Sequence, residues 1–113
     1  MPNYSRLDPV FRALSHPTRR AVVERLGRGP AATTELARPF RMALPSFLEH
    51  MKILEACGLV RSGKSGRVRV WRLTPVRLEA AEGWLAAQRA IWEQRLDQLD
   101  DYLIHEMQDE STS

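Results

Sequence analysis

The sequence predicts a mainly α protein with one small β-hairpin and a long helix at its C-terminal end. Three observations lead there. Up to Gly58, apolar residues recur at helical spacing and are punctuated by Pro and Gly. Over 59–73 the pattern shortens to an alternation of two around the glycine-flanked "SGKSG". From residue 75 onward, a large apolar residue returns every seventh position.

The first helix is short. "RLDPVFRALS" places Val10, Phe11 and Leu14 on one side. "HPTRRAVVERLGRG" follows, with Pro17 in the first turn, Gly27 and Gly29 as stop signals, and Val22, Val23 and Leu26 as the buried stripe. His16, just before Pro17, is placed for a capping or turn role. "TTELARPF" starts a third helix near Thr33, where Ala32 offers no side-chain cap, and ends near Pro39, with Phe40 expected to plug the core.

After the "RMA" turn comes "LPSFLEHMKILEACGLV", residues 44–60. Pro45 can open this helix and Gly58 can close it. On a helical wheel Leu44, Phe47, Leu48, Met51 and Leu54 gather on one side, while Ser46, Glu49, Lys52 and Ile53 point away and His50 lies at the margin.

In the hairpin, Val60, Val68, Val70 and Leu73 are read as facing one way, and Arg67, Arg69 and Trp71 the other. Short helices followed by a basic hairpin make a winged helix-turn-helix, a variant of the motif that lays its second helix in the major groove. In the last helix Leu78, Leu85, Trp92 and Leu99 keep the seven-residue repeat, with Leu96 and Leu103 beside them. That stripe wants a partner, either a second copy across a dimer seam or the chain's own core; Gly83 makes the early part less secure.

At 113 residues the chain is expected to be one domain, with a helix-turn-helix core and wing over 7–73, a C-terminal dimerisation helix over 75–107 and a flexible tail over 108–113. The mean hydropathy of −0.38 is ordinary for a soluble protein. No apolar run approaches the ~18–20 residues of a membrane span, so no membrane partner is expected. "MPNYSRLDPV" lacks the basic-then-apolar layout of a secretory signal, and one cysteine permits no intrachain disulfide, which together point to the cytoplasm.

The net charge of +3 hides an asymmetry. Residues 1–72 hold fourteen Lys/Arg against five carboxylates, a net +9, and residues 73–113 hold three against nine, a net −6. A basic body with an acidic end suggests a polyanion for the body and self-association or solvation for the rest.

The stretches "LSHPTRRAVVERL", "TELARPF" and "HMKILEACGLVRSGKSGRVRVWRL" resemble the ArsR-type winged-helix transcriptional repressors, from about Leu7 to Leu103. "LSHPTRR" and the pattern P-x-x-x-x-H resemble the metal-independent branch most. The resemblance implies a homodimer paired through its first and last helices, which brings in Val10 and Phe11 beside Leu78, Leu85, Trp92, Leu96, Leu99 and Leu103. It also implies repression from an inverted-repeat operator in double-stranded DNA, often relieved by an effector that these residues do not name. The DNA contacts it assigns are Ser46, Phe47, Glu49, His50 and Lys52 on the fourth helix, and Lys64, Arg67 and Arg69 on the wing.

The chain departs from the family where relatives often have serine at the positions of Ala43 and Leu48, and Lys, Arg or Gln at that of Glu49. The first change removes a cap or phosphate contact, and Leu48 fits core packing. Glu49 leaves two readings: it reads a base, or the helix no longer reads DNA and the chain is a degenerate winged-helix module that pairs with proteins.

Other constellations are weaker. The thiolate sensors of this family carry Cys-x-Cys in the third helix, and "TTELARPF" has neither cysteine nor histidine. Asp97, Asp101, His105 and Asp109 share a helical face that resembles a zinc or nickel ligand set but holds a single imidazole, and an exposed acidic face explains it as well. No metal or cofactor is therefore expected. Cys57 suits small, half-buried packing, and only an electropositive, open setting would make it a redox switch. His50 is read either as a donor to DNA or as a local hydrogen-bonding group. No catalytic triad, phosphate loop or cysteine–histidine signature is present, so an enzyme is not expected.

Overall fold

The computed structural model describes residues 6–112. The helices are α1 (Leu7–Leu14), α2 (Pro17–Leu26), α3 (Thr33–Ala37), α4 (Leu44–Ala56) and α5 (Val76–Thr112). The strands are β1 (Ala31–Ala32), β2 (Val60–Ser65) and β3 (Val68–Leu73). A first compact unit ends at Ala81 and a second begins at Glu82. The boundary falls past residue 73 because the opening turns of α5, up to the buried Ala81, belong to the first unit.

Side chains make the α1–α2 joint. The carbonyls of the last turn of α1 have no helical partner, and cations or hydroxyls satisfy them. Ser15 Oγ donates to the Arg12 carbonyl at 2.6 Å, and Arg20 Nη1 donates to that of Leu14 at 2.9 Å. Arg19 Nε donates to the Ala13 carbonyl at 2.7 Å and its Nη2 to that of Arg12 at 3.2 Å, which is how an arginine can be buried. His16 caps α2, its Nδ1 accepting from the Thr18 amide at 3.1 Å, as its place before Pro17 suggested.

The core of the first unit is built by α1 (Leu7, Val10, Ala13), α2 (Val22, Leu26), Leu36 of α3, and Phe47, Met51 and Leu54 of α4. Leu59, Val60 and Trp71 close it. Each of the large aliphatic and Phe side chains among these contributes about 1.5–3 kcal/mol on burial. Phe40 is half-buried and stacks on Phe47 with ring centroids 5.7 Å apart, so it edges the core rather than plugging it.

The sheet has three antiparallel strands in the order β1-β3-β2. Ser65 pairs with Val68, leaving the two-residue turn Gly66–Arg67. Gly66 has φ +67°, the left-handed value that the first position of a II′ hairpin turn demands. The facing of β3 is the reverse of that expected. Trp71 points inward, with Nε1 donating to Thr33 Oγ1 at 2.8 Å, and Val68 is exposed. Trp71 has far more apolar surface to bury than Val68, and it takes the buried place, with Val70 and Leu73 half-buried on either side of it.

The helix α5 continues to Thr112, through most of the segment expected to be a flexible tail; "QDEST" contains no Gly or Pro to stop it. Among the described residues no helix is long and apolar enough to cross a membrane.

Candidate nucleic-acid interface

Helix α4 separates its two faces cleanly. Phe47, Met51 and Leu54 are fully buried, while Ser46, Glu49, Lys52 and Ile53 are exposed. Phe47 is therefore a core residue and not a groove contact: a side chain with no accessible surface cannot meet a base. Leu44, expected on the packing side, is exposed because it precedes the first turn held against the core. Ala43 is the N-cap and makes no side-chain bond, so the amides at the start of α4 have no side-chain acceptor.

Glu49 does not stand alone on the outer face. Lys52 Nζ donates to its Oε1 at 3.2 Å, one turn along, with both side chains mostly in solvent. The pair offsets the carboxylate's charge locally, and its exposure keeps it exchangeable.

His50 is half-buried and is the point where α4 meets α2. Its Nδ1 lies 2.9 Å from Arg19 Nη1, and its ring is tilted against that of His16 with centroids 4.4 Å apart. Burial above all, then the neighbouring His16 and the Arg19 guanidinium, hold the His50 pKa below its ordinary 6.5. Arg19 Nη1 can only donate, so its contact with Nδ1 also calls for a ring with that nitrogen unprotonated. A local hydrogen bond is present, and it uses only one of the two ring nitrogens.

The wing divides its cations. Lys64 on β2 and Arg67 at the turn are exposed, and their side chains make no hydrogen bond or ion pair among the described residues. Arg69 is tied down: its Nη1 donates to Ser62 Oγ at 2.8 Å, and Ser62 Oγ donates to Glu55 Oε2 at 3.2 Å. That chain braces the wing against α4. Arg61 and Arg72, directly opposite one another and both exposed, add positive charge that was not read from the sequence as part of a DNA-facing surface. Only the pairing of the two strands brings them together.

The residues expected at a dimer seam divide as well. Val10 is almost fully buried within the protomer and is a core residue, since α1 turns Leu7, Val10 and Ala13 inward together. Phe11 is partly exposed and Leu78 half-buried. On the second unit Leu85, Trp92, Leu96, Leu99 and Leu103 are each at least 50% exposed.

Cys57 is half-buried, its Sγ donating to the Leu54 carbonyl at 3.3 Å. It lines a cavity of about 490 Å³ with Arg6, Arg61 and Arg77. Asp97, Asp101 and His105 are exposed on α5, and among the described residues no three His, Cys, Asp or Glu are grouped to hold a metal ion. Sequence reasoning missed Arg19 altogether. A signal for it was available: "HPTRR" puts two arginines opposite the end of the preceding helix, where carbonyls need donors.

A family model described as a helix-turn-helix domain matches residues 14–63. The HTH-type transcriptional regulator Rv2034 of Mycobacterium tuberculosis is 41% identical over 80 residues, covering 71% of this chain and 75% of that protein. The transcriptional repressor SdpR of Bacillus subtilis is 27% identical over 79 residues, covering 70% of this chain and 88% of its own. Among solved structures, the ArsR family transcriptional regulator RHA00566 superposes with a TM-score of 0.77 at 49% identity, covering 81% of this chain and 95% of that one.

Proposed function

The chain belongs to the ArsR family of winged helix-turn-helix, DNA-binding transcriptional regulators, and from that premise we propose that it acts as a homodimeric repressor on an inverted-repeat operator. The observation that carries this is the two-faced α4. Its inner side is locked into the core by Phe47, Met51 and Leu54, and its outer side offers Ser46, Glu49, His50 and Lys52 to a groove. Lys64 and Arg67, which no carboxylate neutralises among the described residues, are cations on the wing suited to flanking phosphates. Ser46, beside the uncapped start of α4, would contact another phosphate.

The repressor assignment draws on SdpR, which carries that description. The dimer draws on α5: a stripe that returns every seven residues suits a second copy of the same helix. Two copies then present two α4 helices to half-sites about one helical turn apart. Expected contacts thus narrow to Ser46, Glu49, His50, Lys52, Lys64 and Arg67, with Arg69 serving the wing's own bracing and Phe47 removed.

The test is an electrophoretic mobility assay with DNA upstream of the chain's own gene, at several salt concentrations. A discrete complex that survives competitor DNA and weakens steeply with salt is expected. No complex at any salt would instead point to the degenerate, protein-pairing module.

A further inference from the structure

We infer that Arg19 is a positioning residue for DNA recognition, setting the tautomer in which His50 meets the duplex. The inference rests on the reading of α4 as the DNA-contacting helix. It begins from the contact between Arg19 Nη1 and His50 Nδ1 at 2.9 Å. A guanidinium can only donate, so Nδ1 must be the acceptor and carry no proton. In a neutral imidazole the proton then resides on Nε2, and the ring's other polar edge is a donor.

That donor has an outlet. Among the described residues Nε2 has no hydrogen-bond partner and no fully buried side-chain nitrogen or oxygen lacks one, so Nε2 keeps some access to solvent. A donor suits DNA, because phosphate oxygens and the N7 and O6 edges of purines are all acceptors. The opposite tautomer would offer a lone pair to a polyanion.

The arrangement is held from behind. Arg19 is itself fixed by the Ala13 and Arg12 carbonyls at 2.7 and 3.2 Å, so the guanidinium cannot follow the ring if the ring turns. The ring of His16 lies tilted against that of His50, and its own Nδ1 is engaged by the Thr18 amide. Of the remaining charged groups nearby, Glu49 and Lys52 on α4 pair with each other, and Arg12 on α1 enters the cluster through its carbonyl. Among the described residues no other group bonds to Nδ1. The end of α1, α2 and the outer margin of α4 thus act as one relay that aims a single N–H.

The experiment uses the full chain and a duplex enriched by the wild type from a randomised pool. Nitrogen-15 spectra of the free wild type at pH 7 should show His50 protonated on Nε2 alone. Arg19→Gln should weaken binding to the enriched duplex about tenfold. In that background His50→Ala should cost little more, whereas in the wild type it should cost about the same tenfold. Costs that multiply in the double variant mean that Arg19 acts structurally and not through His50, and they overturn the inference. So does a free wild type whose His50 is protonated on Nδ1 or is cationic at pH 7, a result that stands even if Arg19→Gln does not fold. If the wild type enriches no duplex at all, the DNA reading of α4 itself fails and takes this inference with it.

Discussion

The carboxylate of Glu49 sits where DNA phosphates will be near, and such a group lowers affinity for any duplex unless something specific answers it. Two answers are available. Lys52 Nζ at 3.2 Å offsets the charge in the free protein. In the groove, a cytosine N4 amino group can donate to the carboxylate. Glu49 then works as a filter, giving up general affinity to reject operators that lack that cytosine. Glu49→Gln should bind random DNA more tightly and lose about 1–3 kcal/mol of discrimination at one base pair per half-site. Binding of both proteins to a set of single-base operator variants measures this, and equal discrimination would dismiss the filter. His50 offers a second test at the same scale, in stability. Its folded pKa lies below the ordinary 6.5, so the folded state resists protonation more than the unfolded chain does. The stabilisation is therefore complete above about pH 6.5 and is lost as the pH falls from there through the lowered folded value. Melting temperatures recorded between pH 7.5 and 5 should decline on the acid side, and His50→Gln should flatten that decline.

Among the elements, the wing is the one whose parts have separable jobs. Arg69, Ser62 and Glu55 brace it to α4, while Lys64 and Arg67 remain unpaired among the described residues. Replacing Lys64 and Arg67 with Ala should weaken binding to all sequences alike and lower the slope of log affinity against log salt by about 0.9 per lost phosphate contact. Loss confined to one operator variant would mean that these residues read bases. The hairpin was legible from its alternation and glycines, as were α2 and α4 from their Pro and Gly boundaries. What could not be read shares a cause. β1 is two alanines whose only strand signal is their pairing with Val70 and Trp71, and the inward-facing Trp71 finds its hydrogen-bond acceptor in Thr33, thirty-eight residues earlier. The burial of Arg19 depends on carbonyls of a different helix, and that of Val10 on how α1 rolls against α2 and α4. Local patterns reveal an element. Its rotation is set by long-range contacts that no window of sequence contains.

For the molecule as a whole, the charge division of the chain matches a division of labour. The net +9 of residues 1–72 accompanies the candidate DNA contacts, and the net −6 of residues 73–113 accompanies the apolar stripe of α5. An acidic segment is repelled by DNA, so its apolar residues are left for another protein surface. Exposed leucines and a tryptophan in a seven-residue repeat are costly to leave in water, and a second α5 is the occupant whose spacing matches by symmetry. The protein should thus be a dimer at micromolar concentration. Trp92→Ala with Leu99→Ala should remove several kcal/mol from the seam, since burying each large side chain contributes about 1.5–3 kcal/mol. Both positions lie in the second compact unit, beyond Ala81, so near-ultraviolet circular dichroism should find the packing around Trp71 and Phe47 unchanged. Sedimentation should show a monomer for the variant, and its affinity should collapse towards that of one half-site because the second contact is no longer intramolecular. A wild type that sediments as a monomer would refute the seam, and a monomeric variant that kept full affinity for the inverted repeat would refute the link between the seam and DNA binding.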